Sequence, residues 1–113
     1  MEKSNIGAVF LAGDFNSRTG LLPDTIEQID DHTAFESPLV NLERHNTDTK
    51  VNKYGRRLIE ICIRNGLQII NGRDLFSEYT GDFTYYGPNG NSAVDLLLCS
   101  HSSVKQIKDF KVV

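Results

Sequence analysis

Residues 52–72 spell a helix that runs straight into a strand, and only a small set of architectures can bury such a unit. Asn52 has the side chain of a helix N-cap. Beyond it Tyr54, Leu58, Ile61 and Cys62 share one face at helical spacing, leaving Arg56, Arg57, Glu60 and Arg64 for water. Asn65-Gly66 supplies a left-handed stop, and Leu67-Gln68-Ile69-Ile70-Asn71 reads as a strand leading into Gly72. A helix packed back onto a neighbouring strand is the signature of a layered α/β fold.

Elements on either side extend that layer. Gly7 to Ala12 is a short continuous apolar run closed by Gly13, the pattern of a strand buried on both faces. Ser17 to Asn52 is polar and irregular, broken by Gly20, Pro23 and Pro38, and reads as a long loop. Asp82–Tyr86 and Ser92–Cys99 are β-prone runs around Gly87-Pro88-Asn89-Gly90-Asn91, which predicts an antiparallel hairpin with a loop longer than two residues. Ser100–Gln106 has the makings of a short capped helix, and Lys108–Val113 of a further strand. At 113 residues the chain has the length of one domain, and 39% hydrophobic with 24% charged residues is a composition that folds.

Charge and cysteine usage narrow the class. A formal net charge of −3 speaks against a protein that holds nucleic acid by bulk attraction, although a bound metal attracts phosphate locally. The two cysteines, Cys62 and Cys99, sit in apolar runs without C-x-x-C spacing, as buried thiols of an intracellular protein of cytoplasm or nucleus would. The N-terminal residues carry no signal pattern, and no apolar run is long enough to cross a bilayer as a helix, so no membrane partner is expected.

Chemistry concentrates in two places. Gly13-Asp14-Phe15-Asn16 follows an apolar strand directly, which sets a carboxylate and a carboxamide at a strand's C-terminal end, where ligands gather in α/β folds. Hydrolysis of a phosphodiester needs a group that orients or deprotonates water and donors to the charge that develops on phosphorus. Asp14 suits the first task and Asn16 the second, while closing a turn is the simpler role of either taken alone. In the second place Asp95 interrupts the apolar run Ser92-Ala93-Val94-Asp95-Leu96-Leu97-Leu98, after Phe83-Thr84-Tyr85. A carboxylate inside a buried strand requires a partner, and a histidine held in one tautomer would be a productive one. His101 follows Asp95 too closely, at the far end of the same strand, to fold back against that carboxylate without breaking the strand, and His32 and His45 fall in the polar loop without metal-ligand spacing.

Together these motifs, in this order, resemble the endonuclease/exonuclease/phosphatase superfamily. The likeness is nearest to endonuclease domains of non-LTR retrotransposons, through Gly13–Gly20, Asn52–Gly72 and Gly81–Ser100. The resemblance implies half of a four-layer α/β sandwich, with a mixed, largely antiparallel sheet and helices on one face. It implies a Mg- (or Mn-) dependent phosphodiesterase acting on DNA or RNA, with Asp14, Asn16 and Asp95 catalytic and the metal at Asp14 and Asn16. Arg18, Thr84 and Ser92 are candidate substrate contacts near the hairpin; simple contact with water accounts for such polar side chains equally well.

The family's metal-binding glutamate and an early asparagine lie before Gly-Asp-Phe-Asn, and its closing Ser-Asp-His lies one strand beyond the last element here. The expectation is therefore a single partial domain over residues 1–113, cut at both ends and inactive by itself. Asp82 and Ser92 stand where abasic-site enzymes place pocket aromatics, which points away from that specificity. Two alternatives share the half-fold: an inert binding or dimerisation module, whose homodimer would cover an exposed sheet face, and a phosphatase of the same superfamily.

Overall fold

The computed structural model describes residues 8–25, 43–73, 75, 76 and 78–112. The expected loop positions from 26 to 42, His32 among them, and Val113 lie outside the described residues.

The helix forms as its signals indicate. α1 spans Lys53–Asn65; the Asn52 side chain accepts the Gly55 amide at 2.7 Å, and Gly66 ends the helix in the left-handed region at φ 65°. Its buried stripe is Gly55, Leu58, Ile59 and Cys62. Tyr54 and Ile61, expected inward, stay outward at 53% and 50% exposure. Leu58, Ile59 and Cys62 meet Leu67, Ile69, Leu96 and Leu98 in one apolar cluster, which is the contact of helix with sheet.

The sheet itself is three-stranded and wholly antiparallel, in the order β1 (Phe10–Asp14), β5 (Asp95–Ser100), β2 (Leu67–Ile69). β5 runs through the middle. Its alternate side chains divide the core: Leu96 and Leu98 point toward α1, whereas Cys99 packs with Ile70 and Val104 on the other face. That second face, to which Leu97 also belongs, is covered by a 3-10 helix, His101–Gln106, together with Ile107, Phe110, Leu75 and Phe76. The chain is thus an α/β fold with antiparallel sheets and few helices among the described residues.

Four sequence expectations are corrected. β1 is an edge strand flanked by β5 alone among the described residues, and its five residues are all exposed because neither apolar cluster includes them. The hairpin is a separate two-stranded sheet, β3 (Tyr85–Gly87) with β4 (Gly90–Ser92), and Gly87 pairs with Gly90 across the two-residue turn Pro88-Asn89. Gly90 at φ 128° supplies the backbone that allows so tight a reversal. The run expected as one strand over 92–99 therefore breaks at Ala93-Val94, and β5 turns away to join β1 and β2. Residues 108–112 line the sheet without forming a strand.

A buried polar seam ties the segment after β1 to the end of β2. The Asp24 carboxylate accepts the Ile69 amide at 2.6 Å and pairs with the Arg73 guanidinium, both side chains being almost fully enclosed. Buried charges of opposite sign with further hydrogen bonds are the arrangement that tolerates such enclosure.

Candidate functional site

The β1–β5 register decides what the two acidic motifs can do together. Asp14 is paired directly with Asp95, so both carboxylates rise from one face of the sheet at one rim. The next rung is hydrogen-bonded, Phe15 N–H to Val94 C=O at 2.9 Å, which makes Asp14–Asp95 a non-hydrogen-bonded pair, the kind in which side chains approach most closely. Both residues are exposed, and neither belongs to an ion pair among the described residues. Two like charges set opposite each other on neighbouring strands destabilise the pair unless something offsets them.

Asp95 is the first residue of β5 and is open to solvent, not enclosed within the strand as its apolar neighbours suggest. No histidine partner is needed to make its burial tolerable. His101 stands beyond the opposite end of β5; at roughly 3.3 Å per residue it lies about 20 Å away along the strand.

Asn16 joins the same rim through a tight turn. Its amide donates to Asp14 Oδ1 at 2.8 Å, and its backbone sits in the left-handed region at φ 54°, which asparagine tolerates better than most residues. The turn role and the site role coincide. Asp14 closes the turn with one carboxylate oxygen while its side chain shares the rim with Asp95.

Thr84 sets the start of β5. Its hydroxyl oxygen accepts the amides of Val94 and Asp95, both at 3.0 Å, and its own amide donates to the Ser92 carbonyl at 2.9 Å. Ser92 thus contributes to the site through its backbone, at the end of β4. Beside them Asn71 grips β5 from the other edge: its carboxamide donates to the Asp95 carbonyl at 3.1 Å and accepts the Leu97 amide at 2.9 Å. Thr84, Asn71 and Asp95, with Gly13, Leu97 and Phe110, line an open cavity of about 490 Å³.

Arg18 has another set of partners. Its Nε and a terminal nitrogen bind the two oxygens of Asp48 at 3.0 and 2.9 Å, and the terminal nitrogen also reaches the Asn91 carbonyl at 3.0 Å. Asp48 is 2% exposed, and burial raises its pKa, but the Arg18 hydrogen bond, the amides of Ala93 and Lys50 and the Arg18 charge outweigh that and hold it below the usual value. No sequence motif singles out Asp48 or Asn71. A polar residue closing the apolar run Leu67–Asn71 was the one visible sign of the latter; Asp48 gave none, because its partners lie 30 and 45 residues away.

The oxygen donors at the rim suit a hard divalent cation. Mg²⁺ takes one or two carboxylates and completes its shell with water and phosphate oxygens, and Asp14 and Asp95, opposite each other at the rim, would be the protein's share. Among the described residues no group of three or more His, Cys, Asp or Glu side chains gathers to enclose a metal. No helix among them is long and apolar enough to cross a membrane. No family model, curated protein or solved structure matches the chain.

Proposed function

We propose that the Asp14–Asn16–Asp95 rim is the phosphate-facing part of a Mg- or Mn-dependent phosphodiesterase of the endonuclease/exonuclease/phosphatase type, acting on nucleic-acid phosphodiester bonds. The observation that carries this reading is the direct apposition of Asp14 and Asp95, exposed and without an ion-pair partner among the described residues, beside the Asn16 turn. A divalent cation, when bound there, supplies charge compensation for both the carboxylates and the phosphate. Asp14 orients the attacking water and takes up its proton as the new P–O bond forms, while the old P–O bond breaks with its electron pair going to the leaving oxygen, which takes a proton from solvent. Asn16 donates from its carboxamide to a phosphoryl oxygen as charge builds on it. Asp95 orients a catalytic imidazole in one tautomer, the role that the resemblance implies for it.

On this reading the sheet is one half of a four-layer α/β sandwich, and the isolated chain binds metal and phosphodiester without turning substrate over. The exposure of β1 supports it: Phe10 and Leu11 stand 45% and 44% open on an edge strand. The same exposure favours a second reading, an inert module whose β1 surface is covered by a second copy.

The test is nucleic-acid binding followed residue by residue. A short DNA duplex titrated into the labelled chain with Mg²⁺ is expected to shift the amides of Asp14, Asn16, Asp95 and Leu96, and Asp14→Ala is expected to abolish the response. Shifts that ignore Mg²⁺ and Asp14 contradict the proposal. Mass measurement in solution across a concentration series decides the second reading, since a monomer throughout removes it.

A further inference from the structure

We propose that Arg18 and Asp48 are positioning residues: their ion pair is a clasp that fixes the loop carrying Asp14 and Asn16 against the start of the strand carrying Asp95. The inference deepens the reading of the rim given above and rests on it for its functional meaning. Its physical basis is a set of bonds that converge on one enclosed carboxylate.

Asp48 accepts from three separate stretches of chain. Arg18 comes from the loop four residues beyond Asp14, Lys50 from the segment leading to α1, and Ala93 from the break two residues before Asp95, with Ala93 N–H to Oδ2 at 2.9 Å and Lys50 N–H to Oδ1 at 3.1 Å. Arg18 is anchored by its backbone as well. Its amide donates to Asn52 Oδ1 at 3.1 Å, its carbonyl accepts the Asn52 amide at 3.0 Å, and its guanidinium reaches Asn91 in β4. Fork-on-carboxylate geometry fixes orientation as well as distance, which a point charge cannot do.

Asp14–Asp95 is the last rung of the β1–β5 register and sets like charges on neighbouring strands, and beyond it the Phe15 amide to the Val94 carbonyl joins loop to strand. The clasp lies just outside that bond on both segments, where the ladder ends. Thr84 does the corresponding work from within, holding the Val94 and Asp95 amides.

Amide hydrogen exchange in the metal-free chain tests the clasp, with Mn²⁺ affinity at the rim as the functional readout. Arg18→Ala removes no partner of the Ala93 amide, so it separates coupling from direct bond loss. The expected result is at least tenfold faster exchange at Phe15 and Ala93 in Arg18→Ala and Asp48→Asn, with Leu58 and Ile59 in α1 unchanged, and at least tenfold weaker Mn²⁺ binding at the rim. Arg18→Lys is expected to recover part of both effects. Unchanged exchange at Phe15 and Ala93 in Arg18→Ala overturns the proposal, as does an equal acceleration of every amide, which marks global destabilisation. If the parent chain fails to bind Mn²⁺ at the rim, the site reading fails while the exchange pattern still decides the clasp.

Discussion

Gly55→Ala sets two physical effects against each other inside α1. Helix propensity favours the change: alanine in a helix interior is better than glycine by about 1 kcal/mol. The surroundings oppose it, because a Cβ at this position falls 1.8 Å from the Arg18 carbonyl oxygen and 2.5 Å from its carbon, both of them backbone atoms. Real contacts of this kind do not fall under 3.0 Å, so the loop must retreat by roughly 1 Å or more. Retreat strains the paired bonds between Arg18 and Asn52, at 3.0 and 3.1 Å, each with a net contribution of about 1 kcal/mol. With overpacking strain of about 1–3 kcal/mol added and the propensity gain subtracted, the variant is expected to lose about 2–4 kcal/mol. At an unfolding entropy of about 2.1 cal/mol/K per residue, a chain of this length should melt about 8–17 °C lower. Thermal unfolding followed by circular dichroism reads this directly, with Glu60→Ala on the exposed face of α1 as the control. A melting temperature that rises by a few degrees, as propensity alone dictates, would refute the close approach of Arg18 to the helix.

Other consequences follow from burial. Asp24→Ala takes away the carboxylate facing Arg73 and the acceptor of the Ile69 amide, and should cost about 3–5 kcal/mol; a loss below about 1 kcal/mol in denaturant titration contradicts the buried pair. Burial pushes the thiols of Cys62 and Cys99 up to about 12 and about 11, so iodoacetamide at pH 8 should leave both unmodified in the folded chain and alkylate both in denaturant. Labelling of the folded chain at the rate of a free thiol contradicts this. Burial likewise lowers the pKa of His101, against the Leu67 carbonyl and Asp24, which raise it, and with Arg73, which lowers it further. The unfolded chain then binds the proton first: the contribution is whole above the ordinary value of 6.5 and is lost as pH falls from there through the folded value. Melting temperature should therefore drop on acidification below 6.5, and His101→Phe should flatten that part of the profile.

What the sequence reveals and what it hides divide along the range of the interactions. Asn52 and Gly66 announce the helix ends because capping is a local matter, settled within three residues by the Asn52 to Gly55 bond and the left-handed Gly66. The inward face of α1 is less local. Ile61 and Tyr54 are apolar enough to suggest the core, yet the stripe that meets the sheet is centred on Leu58, Ile59 and Cys62, with Gly55 chosen for the backbone that passes over it. The apolar run before Gly13 looks doubly buried from its composition, and the structure leaves β1 at an edge, a difference in neighbours and not in propensity.

For the site, Asp14, Asn16, Asp95 and Thr84 were all legible as chemistry-bearing types. Their meeting at one rim depends on a register that no local pattern displays. Asp48 is the clearest omission. It reads as one more acid in a polar loop, and its importance comes wholly from Arg18 and Ala93, distant in sequence and adjacent in space.

Paramagnetic broadening by Mn²⁺ in the amide spectrum of the labelled chain tests the site most directly. The account predicts broadening centred on Asp14, Asn16 and Asp95, reversed by excess Mg²⁺ and lost in Asp14→Ala and Asp95→Ala. Broadening centred on other acidic residues, or persisting when both carboxylates are removed, contradicts it.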